Sequence, residues 1–356
     1  MKMIGARFVP ESVEELSELV RETQGPIVFG VGRDHSKGWP TEFRLRNKRE
    51  PHEVVAAIRR AGDSGDSNVG LTVIENLYAG YTIIDRSALR KVLEFEPSDQ
   101  VIRVGAGCFT LDSTHVIEGE ECSPVETPVQ RELATEGQCL PFAKPHLRNR
   151  EDFLSDGSGH RIGRGPALNF PHSLQTQCGS WRDWVLGMTV VLADGTIVKT
   201  GSKAVKSVAG YDVHKLMIGA YDTLGIVVDV TLRTFPLKAL PEPDLTWGNA
   251  QEKFKGELVP GKYVWRQRVL RSHYQDALAG AGDNLLYADN AGCTLWCWLD
   301  SPDQVLPRYP SDWVVRTGCG EKNVQITDPT EIRFMKGAKQ IFDPEGKLNP
   351  GEFGFL

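Results

Sequence analysis

Two stretches of this chain hold the residue types from which a ligand site could be built. The first is GVGRDHSKG at residues 30–38, in which Gly30, Val31 and Gly32 are followed by Arg33, Asp34, His35 and Ser36. A loop of this composition can turn successive backbone N–H groups toward one oxyanion, and glycine lets the main chain come close. Its chemistry would be phosphate binding without a dedicated lysine. Taken alone, such a loop is more often a polar turn than a phosphate cradle. The second stretch is KSVAGYDVHKLMIGAYDTLGIV at 206–227. Lys206, Tyr211 and Asp212 offer proton-transfer groups there, yet a helix cap at Asp212 and a packed ring at Tyr211 account for them, so no acid–base role is assigned. Cys293 and Cys297 form C-x3-C without a second pair at zinc or iron–sulfur spacing. They read as small buried side chains beside Trp296 and Trp298. No catalytic residue and no metal ligand is assigned.

The elements around these stretches must position them. Ser12-Val13-Glu14-Glu15 is a capping box that opens a helix with Val13, Leu16, Leu19 and Val20 as its apolar stripe, and Gly25 lies just past its end. A short strand at 26–29 then delivers the chain to the glycine loop. Residues 39–80, charged at first and turn-rich later, read as a surface insertion holding a helix at 51–60. Order resumes with a strand at 81–85, a short helix at 87–93, a strand at 101–104 ending on Gly105-Ala106-Gly107, and a helix at 128–135 closing at Gly137. Residues 141–179, rich in Gly, Pro, His and Arg, form a long loop of the kind that wraps something. The runs 188–193 and 196–200, joined by Asp194-Gly195, predict a hairpin whose turn uses the positive φ angles this dipeptide accepts. A short buried helix follows, capped by Asp212 and striped by Val213, Leu216 and Met217, before Gly219 weakens it. From Ile226 the alternation places Ile226, Val228, Val230 and Leu232 on one buried face. Val227, Asp229, Thr231 and Arg233 fall on a wetter one, until Pro236 ends pairing. Beyond the linker-like LKALPEPDLTWGN, residues 263–270 and 294–298 read as strands of a second, smaller unit.

At 356 residues with 40% hydrophobic and 25% charged side chains, the composition is that of a globular protein with room for two domains. A net charge of -6 gives no support to a nucleic-acid partner. No run of about 18 apolar residues suggests a membrane span, and the first residues lack the apolar core of a signal peptide. The seven scattered cysteines are expected as free thiols. The expectation is a soluble, cytoplasmic protein without membrane insertion.

Four motifs in order carry a resemblance: the 30–38 loop, RDWVLGMTVVLADG from Arg182, KSVAGYDVHKLMIGAYDTLGIVVDVTLRTFP from Lys206, and FDPEGKLNPG from Phe342. Together the chain resembles the FAD-binding oxidoreductases of the vanillyl-alcohol oxidase and p-cresol methylhydroxylase (PCMH) type. Within them, its size and the VAGYD pattern at 208–212 are most similar to the small FAD-binding subunits of glycolate oxidases. The resemblance implies an α+β architecture: a two-subdomain PCMH-type FAD-binding domain over 1–236 with the insertion at 39–80, a reduced cap-like α+β domain over 237–335, and a tail at 336–356 returning to the FAD domain. It implies FAD held at its pyrophosphate by Gly30, Val31, Gly32, Arg33, Asp34, His35 and Ser36, and nearer the flavin by Asp183, Leu224, Gly225, Ile226 and Val227. Some relatives tether flavin through a histidine near this loop; His35 reads instead as a solvated loop residue.

Some positions depart from the family pattern. The usual Thr-x-Gly-Gly has Arg161-Ile162-Gly163-Arg164 as its counterpart, Gly-Thr-Leu-Gly appears as Asp222-Thr223-Leu224-Gly225, and Ser207 replaces an asparagine. The His-x-Gly-Asp-Gly-Asn motif of the larger relatives is not in this sequence, and His273 is the single histidine between 238 and 335. The resemblance therefore implies an accessory FAD-binding subunit of a 2-hydroxy-acid (glycolate) oxidase or dehydrogenase complex. It would transfer electrons beside a larger catalytic flavoprotein subunit and an iron–sulfur subunit, in the cytoplasm or peripheral to the inner membrane through those partners. Two alternatives stay open: a self-sufficient flavin oxidoreductase of small hydroxy acids, and a non-catalytic assembly subunit that has lost FAD.

Overall fold

Aliphatic and β-branched runs build four sheets among the residues that the computed structural model describes, namely 2–4, 7–29, 81–86, 88–108, 128–140, 162–169, 174–202, 212–241, 244–250, 263–299, 313–316, 322–323 and 329–350. The first sheet joins β1 (Lys2–Ile4), β2 (Arg7–Val9), β3 (Ile27–Phe29) and β4 (Thr82–Ile84) in the order β1-β2-β4-β3. Its β4 runs parallel to both β2 and β3. The second, antiparallel throughout, joins β5 (Val92–Glu96), β6 (Val101–Gly105), β8 (Val185–Val191), β9 (Ile197–Gly201) and β10 (Ile226–Arg233) in the order β5-β6-β10-β8-β9. A two-stranded ladder pairs β7 (Gln138–Cys139) with β11 (Phe235–Pro236). A six-stranded antiparallel sheet follows, with β12 (Leu245–Trp247), β13 (Tyr263–Arg268), β14 (Leu285–Asp289), β15 (Thr294–Leu299), β16 (Trp313–Arg316) and β17 (Lys322–Asn323). Helices and sheets thus form an α+β structure.

The helix Val13–Glu22 begins as its sequence suggests. Ser12 Oγ accepts from Glu15 N at 3.1 Å, while the Glu15 carboxylate reaches back one residue further than expected, to Glu11 N. Leu16, Leu19 and Val20 are buried and Val13 packs beside them. The expected helix at 87–93 does not form. Residues 88–91 are irregular and β5 follows, antiparallel to β6 across the tight turn at Pro97–Asp99.

Strand β10 corrects a second expectation. Both of its faces are buried, Asp229 included, because core lies on either side of the five-stranded sheet. Its register on β8 skips Val228, a bulge that reverses the alternation. Ile226 and Val228 therefore join the core around Leu16, Ile27, Ile84 and Leu348, while Val230 and Leu232 join the opposite core around Trp184 and Leu140. Asp229 is satisfied by Arg103 of β6, which grips both carboxylate oxygens at 2.8 Å.

The β8–β9 hairpin forms, but of the Asp194-Gly195 pair only Gly195 takes a positive φ, at 83°. Gly195 N donates to Leu192 O and Leu192 N to Thr196 O, which is the geometry of a type I turn with a glycine bulge and not of a two-residue turn. The helix that follows the hairpin is His214–Met217, shorter than its stripe implied. Leu216 is exposed, His214 and Met217 are buried, and Asp212 pairs with Lys215 at 2.9 Å instead of capping.

Candidate functional site

The 30–36 loop lies outside the described residues, as do the 39–80 insertion, residues 141–161 and 203–211, including Arg161, Lys206, Ser207 and Tyr211. The site is therefore built from what surrounds the strand that leads into the loop. Strand β3 ends at Phe29, whose N–H donates to Asn349 Oδ1 at 3.2 Å. Asn349 N donates to Ile27 O, and Asn349 Nδ2 donates to Tyr221 O at 2.8 Å. This one buried amide thus binds the end of β3 to the turn that precedes β10. Asn349 itself adopts φ 40°, a left-handed conformation that asparagine tolerates better than most residues.

Side chains hold three carbonyls of the turn at 220–225, those of Ala220, Tyr221 and Thr223. Tyr221 and Asp222 are both left-handed, at φ 57° and 55°. Tyr221 N donates to Ala167 O, Thr223 Oγ1 donates back to Ala220 O, and Lys339 Nζ donates to Thr223 O at 2.9 Å. The Asp222 carboxylate, which stands where the family pattern has glycine, is gripped by Arg86 at 3.0 and 2.9 Å, with both side chains 8% exposed. The same guanidinium donates to Val227 O at 3.1 Å and lies 5.8 Å from the centre of the Phe29 ring. A buried charge of this kind is stable only with partners of this quality.

The expected flavin contacts distribute as follows. Leu224 is buried in the core and Gly225 follows it, both ahead of the first ladder pair, so their peptide groups stand outside the sheet. Ile226 and Val227 pair with Val191 and Val190. A Cβ added at Gly225 would stand in ordinary contact with Leu192, Met217 and Val191 O at 3.4 to 3.6 Å, so this buried glycine is packed without a clash. This turn has two left-handed residues and enters β10 ahead of the ladder. Asp183 is exposed and its carboxylate accepts from Ser180 N at 2.7 Å and Ser180 Oγ at 2.9 Å, capping the short helix Trp181–Trp184. Ile162 and Gly163 of the Thr-x-Gly-Gly counterpart donate their N–H groups to Cys108 O and Ala106 O, Arg164 opens the short helix Arg164–Leu168, and Ala106 N donates to Val228 O. The glycine pair flanking Ala106 is thereby set between β10 and residues 162–163.

Behind this turn the FDPEGKLNPG motif forms a polar clip. Lys339 Nζ donates to Asp343 Oδ2 at 2.6 Å and to Leu348 O at 2.7 Å, and Asp343 accepts from Lys347 N and Leu348 N. Lys347 Nζ donates to the carbonyls of Val20 and Ala193. Sequence reasoning missed Arg86, Lys339 and Asn349 as parts of the site. Asp222 was the available signal for Arg86, since a carboxylate just ahead of a buried strand requires a counter-charge. The five described cysteines, Cys108, Cys139, Cys178, Cys293 and Cys297, are thiols. Burial pushes Cys297 up to about 12, in keeping with a packed side chain and not a reactive one. Among the described residues, no cluster of His, Cys, Asp and Glu could hold a metal, and no helix is long and apolar enough to cross a membrane.

No family model matches the chain. Similarity to curated proteins is clear and partial. Over 89 residues the chain is 43% identical to the mitochondrial D-lactate dehydrogenase (cytochrome) of Arabidopsis thaliana, covering 25% of this chain and 15% of that protein. It is 29% identical over 209 residues to a D-2-hydroxyglutarate dehydrogenase of Xanthomonas citri pv. viticola, covering 57% and 39%. It is also 29% identical over 200 residues to the glycolate oxidase subunit GlcE of Escherichia coli, covering 56% and 49%. The chain therefore spans at most about half the length of these relatives, and all three are named as oxidoreductases of small hydroxy acids. A solved alkyldihydroxyacetonephosphate synthase aligns over 77% of this chain and 36% of its own with a TM-score of 0.40 and 14% identity.

Proposed function

We propose that this chain is an FAD-dependent oxidoreductase of the PCMH-type fold, acting as the FAD-binding component of a 2-hydroxy-acid oxidase or dehydrogenase complex. FAD is its cofactor, and when bound it supplies the hydride and electron chemistry that no side chain here can. The observation that carries the reading is the joining of Phe29, which precedes the glycine loop, to the 221–227 turn through Asn349 and Arg86, in a chain similar to hydroxy-acid oxidoreductases. Gly30 to Ser36 would offer backbone N–H groups to the pyrophosphate, and Leu224 and Gly225 would offer their peptide groups to the flavin edge. The FAD domain would cover 1–236, with the sheet from β12 to β17 as a reduced cap and the 336–356 tail packed back onto it. A larger catalytic flavoprotein subunit and an iron–sulfur subunit are the proposed partners, with a small hydroxy acid as the substrate of the complex. Its setting is the cytoplasm or a membrane surface reached through those subunits.

The deciding experiment is reconstitution with FAD followed by a visible spectrum and a turnover assay on glycolate and D-lactate with an artificial acceptor. The accessory-subunit reading expects flavin absorbance and no turnover by the isolated chain. Turnover would make the chain self-sufficient, whereas a colourless protein after reconstitution would leave only an assembly role.

A further inference from the structure

We propose that Arg86 is a positioning residue of the cofactor site, holding the 221–227 turn in register with the end of β3; this rests on the FAD reading above. Three contacts of one guanidinium define the role: both oxygens of Asp222, the carbonyl of Val227, and the face of Phe29. They belong to three separate elements. Val227 adjoins the bulge at Val228, where the β8–β10 ladder is interrupted, so an outside donor there fixes the angle at which β10 leaves the turn.

Neutralising a buried carboxylate does not by itself explain the arrangement. A glycine at 222 would relieve the left-handed strain at φ 55°, and an apolar residue at 86 would then leave no charge to compensate. What that simpler pair would lose is the planar fork, which reaches Asp222 and Val227 together in a way a single-point ammonium cannot. Lys339 holds the turn through Thr223 O and Asn349 joins Tyr221 O to the Phe29 N–H, so what Arg86 adds is the grip on the Asp222 carboxylate and on Val227 O, with its guanidinium against the Phe29 ring.

Two variants of the full chain test this. R86M/D222G removes both charges and the strain, and R86K keeps a charge opposite Asp222 while giving up the fork. Each is assayed for chemical-denaturation midpoint, for FAD affinity by titration, and for amide exchange at 27–29 and 223–228. The expected result is a near-native midpoint with the FAD Kd raised at least tenfold and exchange accelerated in both segments. Native affinity together with native exchange in either folded variant overturns the proposal. Should the unaltered protein take up no FAD, the functional reading itself fails, and exchange then decides the bracing alone: unchanged protection in the variants overturns it and lost protection upholds it.

Discussion

His214 is a buried side chain through which pH should reach stability. It is 2% exposed, its Nδ1 has no hydrogen-bond partner among the described residues, and its ring is otherwise bonded to the Val185 backbone. Burial holds its pKa below the ordinary 6.5; Asp212 opposes that shift, while Lys215 and Arg182 add to it. A depressed pKa means that the folded protein binds fewer protons here than the unfolded chain once the pH falls below 6.5. The resulting stability is complete above that value and is lost as the solution is acidified through the folded pKa. The midpoint in guanidinium chloride should therefore decline as the pH falls below 6.5, and that of H214Q should decline less. Parallel curves for the two proteins would remove His214 from the account.

Elements show where local pattern ends and tertiary structure takes over. The Val13–Glu22 helix was legible because its cap and stripe are written within ten residues, and the β8–β9 hairpin because Gly195 stands where a positive φ is needed. The bulge at Val228 was not legible. A period-two run looks the same whether or not a neighbouring strand skips one residue, and the burial of Asp229 depends on Arg103 far away in sequence. The 87–93 segment has a helix-like spacing of Leu89, Val92 and Leu93, but pairing with β6 gave it a strand instead. Of the candidate site, the 221–227 stretch was singled out from Gly225 and the family pattern, whereas Arg86, which grips Asp222 from far away in sequence, was not. The open end of the hairpin supplies a test at this scale. Gly201 lies at φ 84° opposite Gly187, and a Cβ on it would sit 2.2 Å from Leu186 O and 2.4 Å from Gly187 Cα. G201A should cost well over ~1 kcal/mol in urea denaturation, because strain and backbone clash add together. A native midpoint would mean that the two strand ends lie further apart.

At the scale of the molecule, the last described segment fastens together parts of the chain that are remote in sequence. Leu348 forms a parallel bridge with Ile27 and sits in the core beside Leu16 and Ile84. Lys347 reaches the end of the first helix and the β8–β9 turn, and Lys339 ties the final helix, Pro329–Phe342, to Thr223. The Lys339–Asp343 pair at 2.6 Å is the centre of this clip, with the carboxylate side chain fully buried. Removing the cation alone, as in K339M, leaves Asp343 with two backbone N–H donors and no counter-charge. Loss of one partner of a buried pair costs about 3–5 kcal/mol, whereas replacing both by apolar residues is often close to neutral. K339M should therefore shift a single cooperative unfolding transition by about that amount, and K339M/D343N, which removes the charge while keeping a side-chain acceptor for the backbone donors, should recover part of it. The clip also bears on the candidate site, since Asn349 and Lys339 both contact the 220–225 turn. Weakening it should accelerate amide exchange at 221–225 before global unfolding. If K339M instead kept a native midpoint while protease released the residues after 329, the segment would be a separable appendage and not part of the cooperative fold.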